Sequence, residues 1–187
     1  KLYEKAKTIS NNGWLNICNY FFNKKPEVAI WPRGLPLDKI NKNNLEKIIK
    51  LSKKKVLINH TLCNGNPDVD AIFRLINKKI YYKFEKKKKF GITRNIFSPI
   101  NSQNTTWFYK SFPLMYLPSY CSMRATDIWR GYISQVILNN NNNYTLFHGP
   151  NIQQIRNQHN LINDLKDELE VYKNSKKIIN SLRDLNL

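Results

Sequence analysis

The sequence lacks any apolar run of the roughly 18 residues that a membrane-spanning helix requires. Its first residues, Lys1–Lys5, are polar and mixed in charge, so they do not resemble a signal peptide. The chain also lacks an initiating Met, and we expect it to be a fragment whose anchor or signal would lie upstream. With 187 residues, 41% of them hydrophobic, it can nevertheless bury the core of one domain.

Several familiar motifs are missing as well. The sequence contains no Walker A, GxGxxG, HExxH or GxSxG pattern, which removes support from several enzyme classes. Its three cysteines, Cys18, Cys63 and Cys121, include no CxxC pair, so a zinc site of the usual spacing is excluded. Because an odd number of cysteines forms no complete disulfide framework, we predict buried free thiols.

Acidic residues are scarce: 13 Asp and Glu stand against 31 Lys and Arg, for a formal net charge of +18. This excess permits a nucleic-acid-binding interpretation, which predicts a steeply salt-dependent affinity. However, Lys is spread along the whole chain, and Asn is also abundant, as in the run Asn139–Asn143. Such a composition indicates a coding bias that makes a surface basic without a nucleic-acid partner. We expect no specific nucleic-acid partner.

Strand and helix patterns are mixed along the chain. Strand patterns occupy residues 55–62, 79–84, 105–109 and 144–147. Helix patterns follow Asp38 as far as Leu51, begin near Ala71, and run from a cap at Thr126 or Asp127 to about Leu138. Residues 160–187 predict one long amphipathic helix or two shorter ones. This mixture predicts an α/β layer structure.

Asp127 is the first candidate catalytic residue. A carboxylate at a helix N-terminus meets unpaired N–H groups and the positive end of the helix dipole, which keep it ionised and oriented. Such a group suits a general base that takes a proton from a sugar hydroxyl. Arg124 and Arg130 flank it and can hold phosphate oxygens or the carboxylate itself. Alternatively, Asp127 is only a cap and the arginines form structural salt bridges.

Metal ligands have two possible sources. Asp68 and Asp70 form a D-x-D pair that can hold a divalent cation through oxygen atoms, although Pro67-Asp68 is also an ordinary helix-start signature. His148 follows a predicted strand, and His159 lies at the entry to the last helix. Either histidine can be a metal ligand or simply a surface or packing residue.

The segment 101–105 is rich in amide and hydroxyl groups. Sugars are bound by hydrogen-bond donors and acceptors of the kind carried by Asn101, Gln103 and Asn104. The aromatic residues Trp107 and Phe108 follow closely. A polar turn explains the same residues.

Five segments together resemble one family, the STELLO-like group of glycosyltransferases. They match, in order, its patterns WPRGxPL, GDPDVDAIxRL, PxNSQNT, RxTDIWRGY and RNxHN, at Trp31–Leu37, Gly65–Leu75, Pro99–Thr105, Arg124–Tyr132 and Arg156–Asn160. Asn66 stands where the family usually has Asp. The resemblance covers nearly the whole chain, and the family is distantly similar to the reversibly glycosylated polypeptides.

The resemblance implies the C-terminal portion of a GT-A-like domain, with a mixed sheet flanked by helices and a helical segment at 160–187. Residues 1–187 would form one partial domain whose nucleotide-binding half lies upstream. The implied activity transfers a sugar from a nucleoside-diphosphate donor to a glycan or protein acceptor, with Mn²⁺ or Mg²⁺. The full-length protein would reside in a Golgi or other secretory-pathway membrane. A non-catalytic scaffold or regulatory partner of a polysaccharide-synthesising complex is the alternative.

The same resemblance suggests roles for individual residues. It makes Asp127 the catalytic base and His159 or His148 a late metal ligand. The segment Asp68–Asp70 would line the acceptor side or be structural, rather than hold the diphosphate metal. The residues expected to bind substrate are Asn101, Gln103, Asn104, Arg124 and Arg130.

Overall fold

A computed structural model describes residues 3–4, 7–10, 13–24, 26–40, 47–50, 54–77, 81–92 and 95–184. Its strands are β1 Tyr3–Glu4, β2 Lys7–Ser10, β3 Gly13–Trp14, β4 Lys47–Lys50, β5 Lys54–Gly65, β6 Lys89–Ile92, β7 Ile96–Phe97, β8 Thr105–Trp107 and β9 Tyr144–Gln154. Its α-helices are α1 Ala71–Ile76, α2 Met123–Asn140 and α3 Leu161–Asp184. The predicted α/β class, with a mixed sheet and helices, is confirmed.

Within the described residues, seven strands form one sheet in the order β1-β5-β9-β6-β2-β4, with β8 paired to β5. The long strands β5 and β9 lie side by side and parallel, whereas β6 and β8 run antiparallel to β9 and β5 respectively. Because β5 and β9 are parallel neighbours, their carboxyl ends reach the same edge of the sheet. A separate pair, β3 and β7, is also parallel.

The main core forms where apolar side chains of the sheet pack against the segment 15–35. Val56, Ile58, Leu146 and Phe147 are at most 3% exposed, so the central strands contribute fully buried side chains. Helices α2 and α3 pack against each other through a second apolar cluster. Their contact keeps α2, which carries Asp127, in a fixed position beside the sheet.

Several predicted elements are confirmed, and others are wrong. The strands at 55–62 and 144–147 exist but extend to Gly65 and Gln154. The short helix at Ala71 exists, and the C-terminal segment forms a single helix. Of the helix predicted behind Asp38, residues 41–46 and 51 lie outside the described residues, whereas 47–50 form a strand instead. Isoleucines 48 and 49 suit either structure, and pairing with β2 decides for the strand.

The predicted strand at 79–84 is also wrong in its described part. Residues 78–80 lie outside the described residues, and of 81–84 only Tyr82 makes an isolated bridge, to Gly65. All three cysteines, which lie in described segments, are free thiols, and Cys18 and Cys63 are buried as predicted, while Cys121 is partly exposed. None of the helices among the described residues combines the length and apolarity needed to cross a membrane.

Candidate functional site at the carboxyl edge of the sheet

Residues from distant parts of the chain meet at the edge where β5 and β9 end. Asp68 follows the end of β5, and Arg156 follows the end of β9. The loop before β8 reaches the same edge, because the Thr61 N–H donates to the Asn104 carbonyl at 2.9 Å. The crevice beyond the carboxyl ends of parallel strands is where α/β sheets usually bind ligands.

Two glycines allow this convergence. Gly65, at the end of β5, has a φ of 81°, and an added Cβ would lie 2.7 Å from the Gln154 carbonyl oxygen. Gly34 has a φ of 96°, and an added Cβ would lie 2.5 Å from the Ile128 side chain. Residues other than glycine rarely adopt a positive φ, and glycine has no Cβ to collide with its neighbour. The two positions therefore let the loops approach β9 and α2 closely.

Arg33 is the centre of the site. Its Nε and Nη2 donate to Asp68 Oδ2 at 3.0 and 2.8 Å. Its Nη1 and Nη2 donate to Asp127 Oδ1 and Oδ2 at 3.1 and 3.0 Å, and Nη1 also donates to the backbone carbonyl of Arg124. One buried guanidinium therefore joins three segments, with the two-pronged geometry that suits arginine and carboxylate.

The charges of this cluster support one another. Burial alone would lower the pKa of Arg33, but the carboxylates of Asp68 and Asp127 outweigh it and raise that pKa above its usual value. Burial alone would raise the pKa of Asp68, yet Arg33 and Arg156 hold it well below its usual range. Arg156 contributes through Nη1, which lies 3.2 Å from Asp68 Oδ1. Arg33 and Asp68 therefore both carry their charge at neutral pH.

Asp127 is not a helix cap, contrary to the prediction. Helix α2 begins at Met123, so Asp127 lies in its second turn, while Ser122 occupies the cap position without a side-chain cap bond. Besides Arg33, the carboxylate accepts the N–H of Ser102 at 3.0 Å. Its orientation thus comes from the loop arginine and the 101–104 turn, and not from the start of its own helix.

The two arginines that flank Asp127 in sequence bind other groups. Arg124 lies 2.5 Å from Glu168 and 3.3 Å from Asp164, so it fastens α2 to α3. Arg130 donates to the Ser102 hydroxyl at 2.7 Å, and its guanidinium lies 4.8 Å from the centre of the Trp107 ring. Of the alternatives for these arginines, a structural salt bridge is observed for Arg124. Neither guanidinium forms a hydrogen bond or ion pair with the Asp127 carboxylate among the described contacts, so that alternative is wrong.

The polar 101–104 loop mainly holds its own shape. Asn101 is buried, and its Oδ1 accepts the Gln103 N–H at 2.9 Å. Asn104 donates to the Asn151 side chain at 2.8 Å. Of the three amides predicted to bind substrate, Gln103 lines the cavity that contains Arg33 and Asp127. The interpretation as a polar turn holds for Asn101.

The D-x-D pair does not act as a unit. Asp68 faces Arg33 and Arg156, whereas Asp70 caps α1 and accepts the Phe73 N–H at 2.7 Å. Asp70 also accepts the Trp31 indole N–H at 2.6 Å. The structural role expected for this segment is observed for Asp70.

The described residues do not fit a divalent cation. No group of three or more His, Cys, Asp and Glu side chains among them could hold a metal ion. Asp68 and Asp127 are already bound to the positive charge of Arg33. His159 lies 3.6 Å from Asp164, and His148 lies within β9, in register with Thr61. A cation between the two carboxylates would have to displace the guanidinium.

Two adjoining cavities open at this edge. The first, of about 310 Å³ and named here the Arg33 cleft, is lined by Arg33, Asp68, Gln103, Asp127, Gln154, Ile155, Arg156, Asn157 and His159. The second, of about 550 Å³ and named the Arg74 cleft, is lined by Asn66, Arg74, Leu75, Asn77, Arg156, Asn157, Gln158, His159 and Leu161. Three residues line both cavities, so the clefts are neighbours.

The sequence patterns do not single out Arg33 or Arg156 as site residues, and they do not predict that Asp68 pairs with both. Each lies in one of the five family-like segments, and that shared membership was the available signal. All five segments contribute to the two clefts or to the residues that hold them. The pairing of an arginine with a carboxylate 94 positions away leaves no trace in local spacing.

Comparison with known proteins agrees with the motifs. Residues 124–187 match the family described as STELLO glycosyltransferases. The chain is 33% identical over 116 residues to the probable glycosyltransferase STELLO1 of Arabidopsis thaliana, covering 59% of this chain and 15% of that protein. It is 30% identical over 132 residues to the probable glycosyltransferase STELLO2 of the same plant, covering 67% and 17%. The chain is STELLO-like, and it spans only a small part of these relatives' lengths.

Proposed function

We propose that this STELLO-like chain is part of a GT-A-like glycosyltransferase that transfers a sugar from a nucleoside-diphosphate donor to a glycan or protein acceptor. The family and the names of both relatives support the reaction class. The position of the Arg33 cleft, beyond the carboxyl ends of β5 and β9, supports a ligand site there.

One observation carries the proposal: the bidentate contact between Arg33 and Asp127 inside a polar cleft. The side chains of Gln103, Gln154 and Asn157 line the same cleft. Amide groups both donate and accept hydrogen bonds, as sugar hydroxyls require. A fixed carboxylate among such groups is the arrangement that a sugar-hydroxyl base needs.

In the proposed reaction, Asp127 accepts the proton of the acceptor hydroxyl. The oxygen of the acceptor hydroxyl then forms a bond to the anomeric carbon of the donor sugar. At the same time the bond from this carbon to the diphosphate oxygen breaks, and its electron pair leaves with the diphosphate. Among the described residues, Arg33 is the one that donates to Asp127 Oδ1, so this oxygen keeps a lone pair for the acceptor. Arg33 and the Ser102 N–H fix the direction of the carboxylate.

Mn²⁺ or Mg²⁺ remains part of the proposal as the ion that would neutralise a leaving diphosphate. Since the described carboxylates of the cleft are bound to guanidinium groups, we assign it no step on this chain. The proposal also includes a Golgi or other secretory-pathway membrane location for the full-length protein, which imaging of a tagged full-length protein would check.

The test compares Asp127→Asn with a matched control in the full-length protein. Asp38→Asn makes the same change at an exposed carboxylate that pairs with Lys176 on the surface. Loss of a general base is expected to reduce transfer by about 10²–10⁴-fold. Release of nucleoside diphosphate from a panel of nucleotide sugars with Mn²⁺ measures this loss, and thermal melting checks that the variant folds. Transfer that is undiminished in folded Asp127→Asn would remove Asp127 from the mechanism.

A non-catalytic scaffold or regulatory partner is the second candidate. It is favoured by exposed apolar side chains along residues 109–123, including Tyr116 and Tyr120, which are 75% and 102% exposed. Such a patch can be a protein-contact surface. Calorimetry of the full-length protein with nucleotide sugars and Mn²⁺ separates the two candidates, because a scaffold that has lost its donor site gives no binding heat.

A further inference from the structure

Arg74 is a buried cation that binds neutral groups. It lies in α1 and is 9% exposed. Its Nη1 donates to Asn66 Oδ1 at 2.7 Å, its Nη2 to the Pro67 carbonyl at 2.8 Å, and its Nε to the Val69 carbonyl at 3.4 Å. In the part of the chain that the structure describes, Arg74 forms no ion pair with a carboxylate. Buried arginines normally have one, because an uncompensated buried charge is costly.

The nearby carboxylates are paired with other cations. Asp127 pairs with Arg33, and Asp68 pairs with Arg33 and Arg156. Asp164 lies beside Arg124 and His159, so Arg74 has no direct carboxylate partner among the described residues. Burial and the nearby charge of Arg156 lower the pKa of Arg74 to about 10, although Asp68 and Asp164 oppose this, so Arg74 stays protonated at neutral pH. A positive charge without a direct carboxylate partner therefore lies at the wall of the Arg74 cleft.

The Arg74 cleft has the groups that an anion requires. A guanidinium has five N–H bonds, and the three contacts to Asn66, Pro67 and Val69 leave two for a ligand. Arg156 and His159 line the same cleft, together with amide side chains. No Asp or Glu is among its lining residues in the described part of the chain. Arginine donors bind phosphate and carboxylate oxygens by paired hydrogen bonds.

We infer that the Arg74 cleft binds an oxyanion, a phosphate group or a sugar carboxylate, carried by a ligand of this protein. Arg74 and Arg156 are its main ligands, and Asn66 orients Arg74 without neutralising it. Since the two clefts share Arg156, Asn157 and His159, a ligand held by its anionic group in one can extend into the other. The site does not depend on sugar transfer: a chain without transferase activity would still bind the anion.

The test places a counter-charge inside the protein. Asn66→Asp keeps the size of the side chain and puts a carboxylate within hydrogen-bonding distance of Arg74, where it competes with an external anion. Asn180→Asp makes the same change at an exposed position on α3. Because both variants lower the net charge equally, non-specific attraction to the basic surface changes equally in both. Calorimetry with inorganic phosphate and with glucuronate, at two salt concentrations, measures the binding.

The full chain and Asn180→Asp are expected to bind at least one of the two anions, and Asn66→Asp is expected to bind it at least tenfold more weakly. Preference for phosphate would indicate a phosphorylated ligand, and preference for glucuronate an acidic sugar; each outcome supports the site. Absence of binding by the unmodified chain, or equal binding by the two variants, would overturn the inference. Asp127→Asn should retain the anion, which separates this result from failure of the transferase proposal.

Discussion

The Arg33 cleft and the Arg74 cleft use the same side chain in opposite ways. Arg33 lies between two carboxylates, and each of its contacts to Asp68 and Asp127 joins opposite charges. Arg74 is similarly buried but donates to an amide and two backbone carbonyls. A balanced ion network holds structure together whether or not a ligand is present, whereas an unbalanced buried cation is stabilised further when an anion arrives. The contrast indicates that the Arg33 cleft is held in shape by its own ion pairs, whereas the Arg74 cleft is suited to bind an external anion.

Arg33→Met removes the ion pairs with Asp68 and Asp127 and should have the largest effect on stability. It leaves Asp68 with Arg156 alone and Asp127 without an ion-pair partner among the described residues. Breaking a buried ion pair from one side typically costs about 3–5 kcal/mol. Urea denaturation at pH 7 measures the loss. Arg183→Met, at an exposed arginine over Phe97, is the matched control and should cost about 1 kcal/mol or less. Equal losses in the two variants would show that the Arg33 network contributes little.

Acid should lower the stability of the folded chain by protonating His60, which is buried near the Arg33 cleft. Burial lowers the pKa of His60 to about 4, despite the opposing fields of Asp68 and Asp127. Since the folded pKa lies below the unfolded value of about 6.5, the unfolded chain takes up a proton first, and stability falls as pH drops from about 6.5 to 4. The loss attributable to His60 should reach about 3 kcal/mol.

His60→Gln separates this effect from other acid effects. The variant should lose the pH dependence between about 6.5 and 4 and keep the destabilisation below it, where Asp68 becomes protonated. Asp68 has a depressed folded pKa, so its contribution is present above its unfolded value and disappears as pH falls further. Denaturation curves at half-unit pH steps measure both windows, and an unchanged slope above pH 4 would exclude His60 as the cause.

Arg74→Met removes the buried cation that has no carboxylate partner among the described residues, and it should have a smaller effect on stability than Arg33→Met or the protonation of His60. The hydrogen bonds to Asn66, Pro67 and Val69 disappear, but no carboxylate is left unpaired and an unbalanced buried charge is removed. We expect a net loss of about 1–2 kcal/mol, well below that of Arg33→Met. Urea denaturation in phosphate-free buffer measures it. A loss as large as that of Arg33→Met would mean that Arg74 has a structural counter-charge after all.

Much of the fold could be predicted from local pattern. Strands β5 and β9 contain short runs whose consecutive side chains are buried, at 56–58 and 144–147. Helix α3 buries a stripe at helical spacing, formed by Asp164, Glu168, Val171, Ser175 and Ile179. The pattern failed at 47–50, where two isoleucines between lysines fit a strand as well as a helix. It also misplaced the start of α2, since Thr126 and Asp127 resemble caps although the helix begins at Met123. Neither choice is decided by local propensity, because strand pairing and contacts with α3 come from distant residues.

The sequence by itself determined that the chain is STELLO-like, which segments matter, and that Asp127 belongs to the most informative of them. Only the tertiary structure decided the partner of Asp127. Helical spacing would allow Arg124 or Arg130 to reach Asp127. Instead, Arg124 forms a salt bridge with Glu168, and Arg130 donates to the Ser102 hydroxyl. The partner of Asp127 is Arg33, which lies in a loop far upstream in the sequence. The physical reason is that a buried charge selects its counter-charge by distance in the folded chain, which spacing along the sequence does not encode.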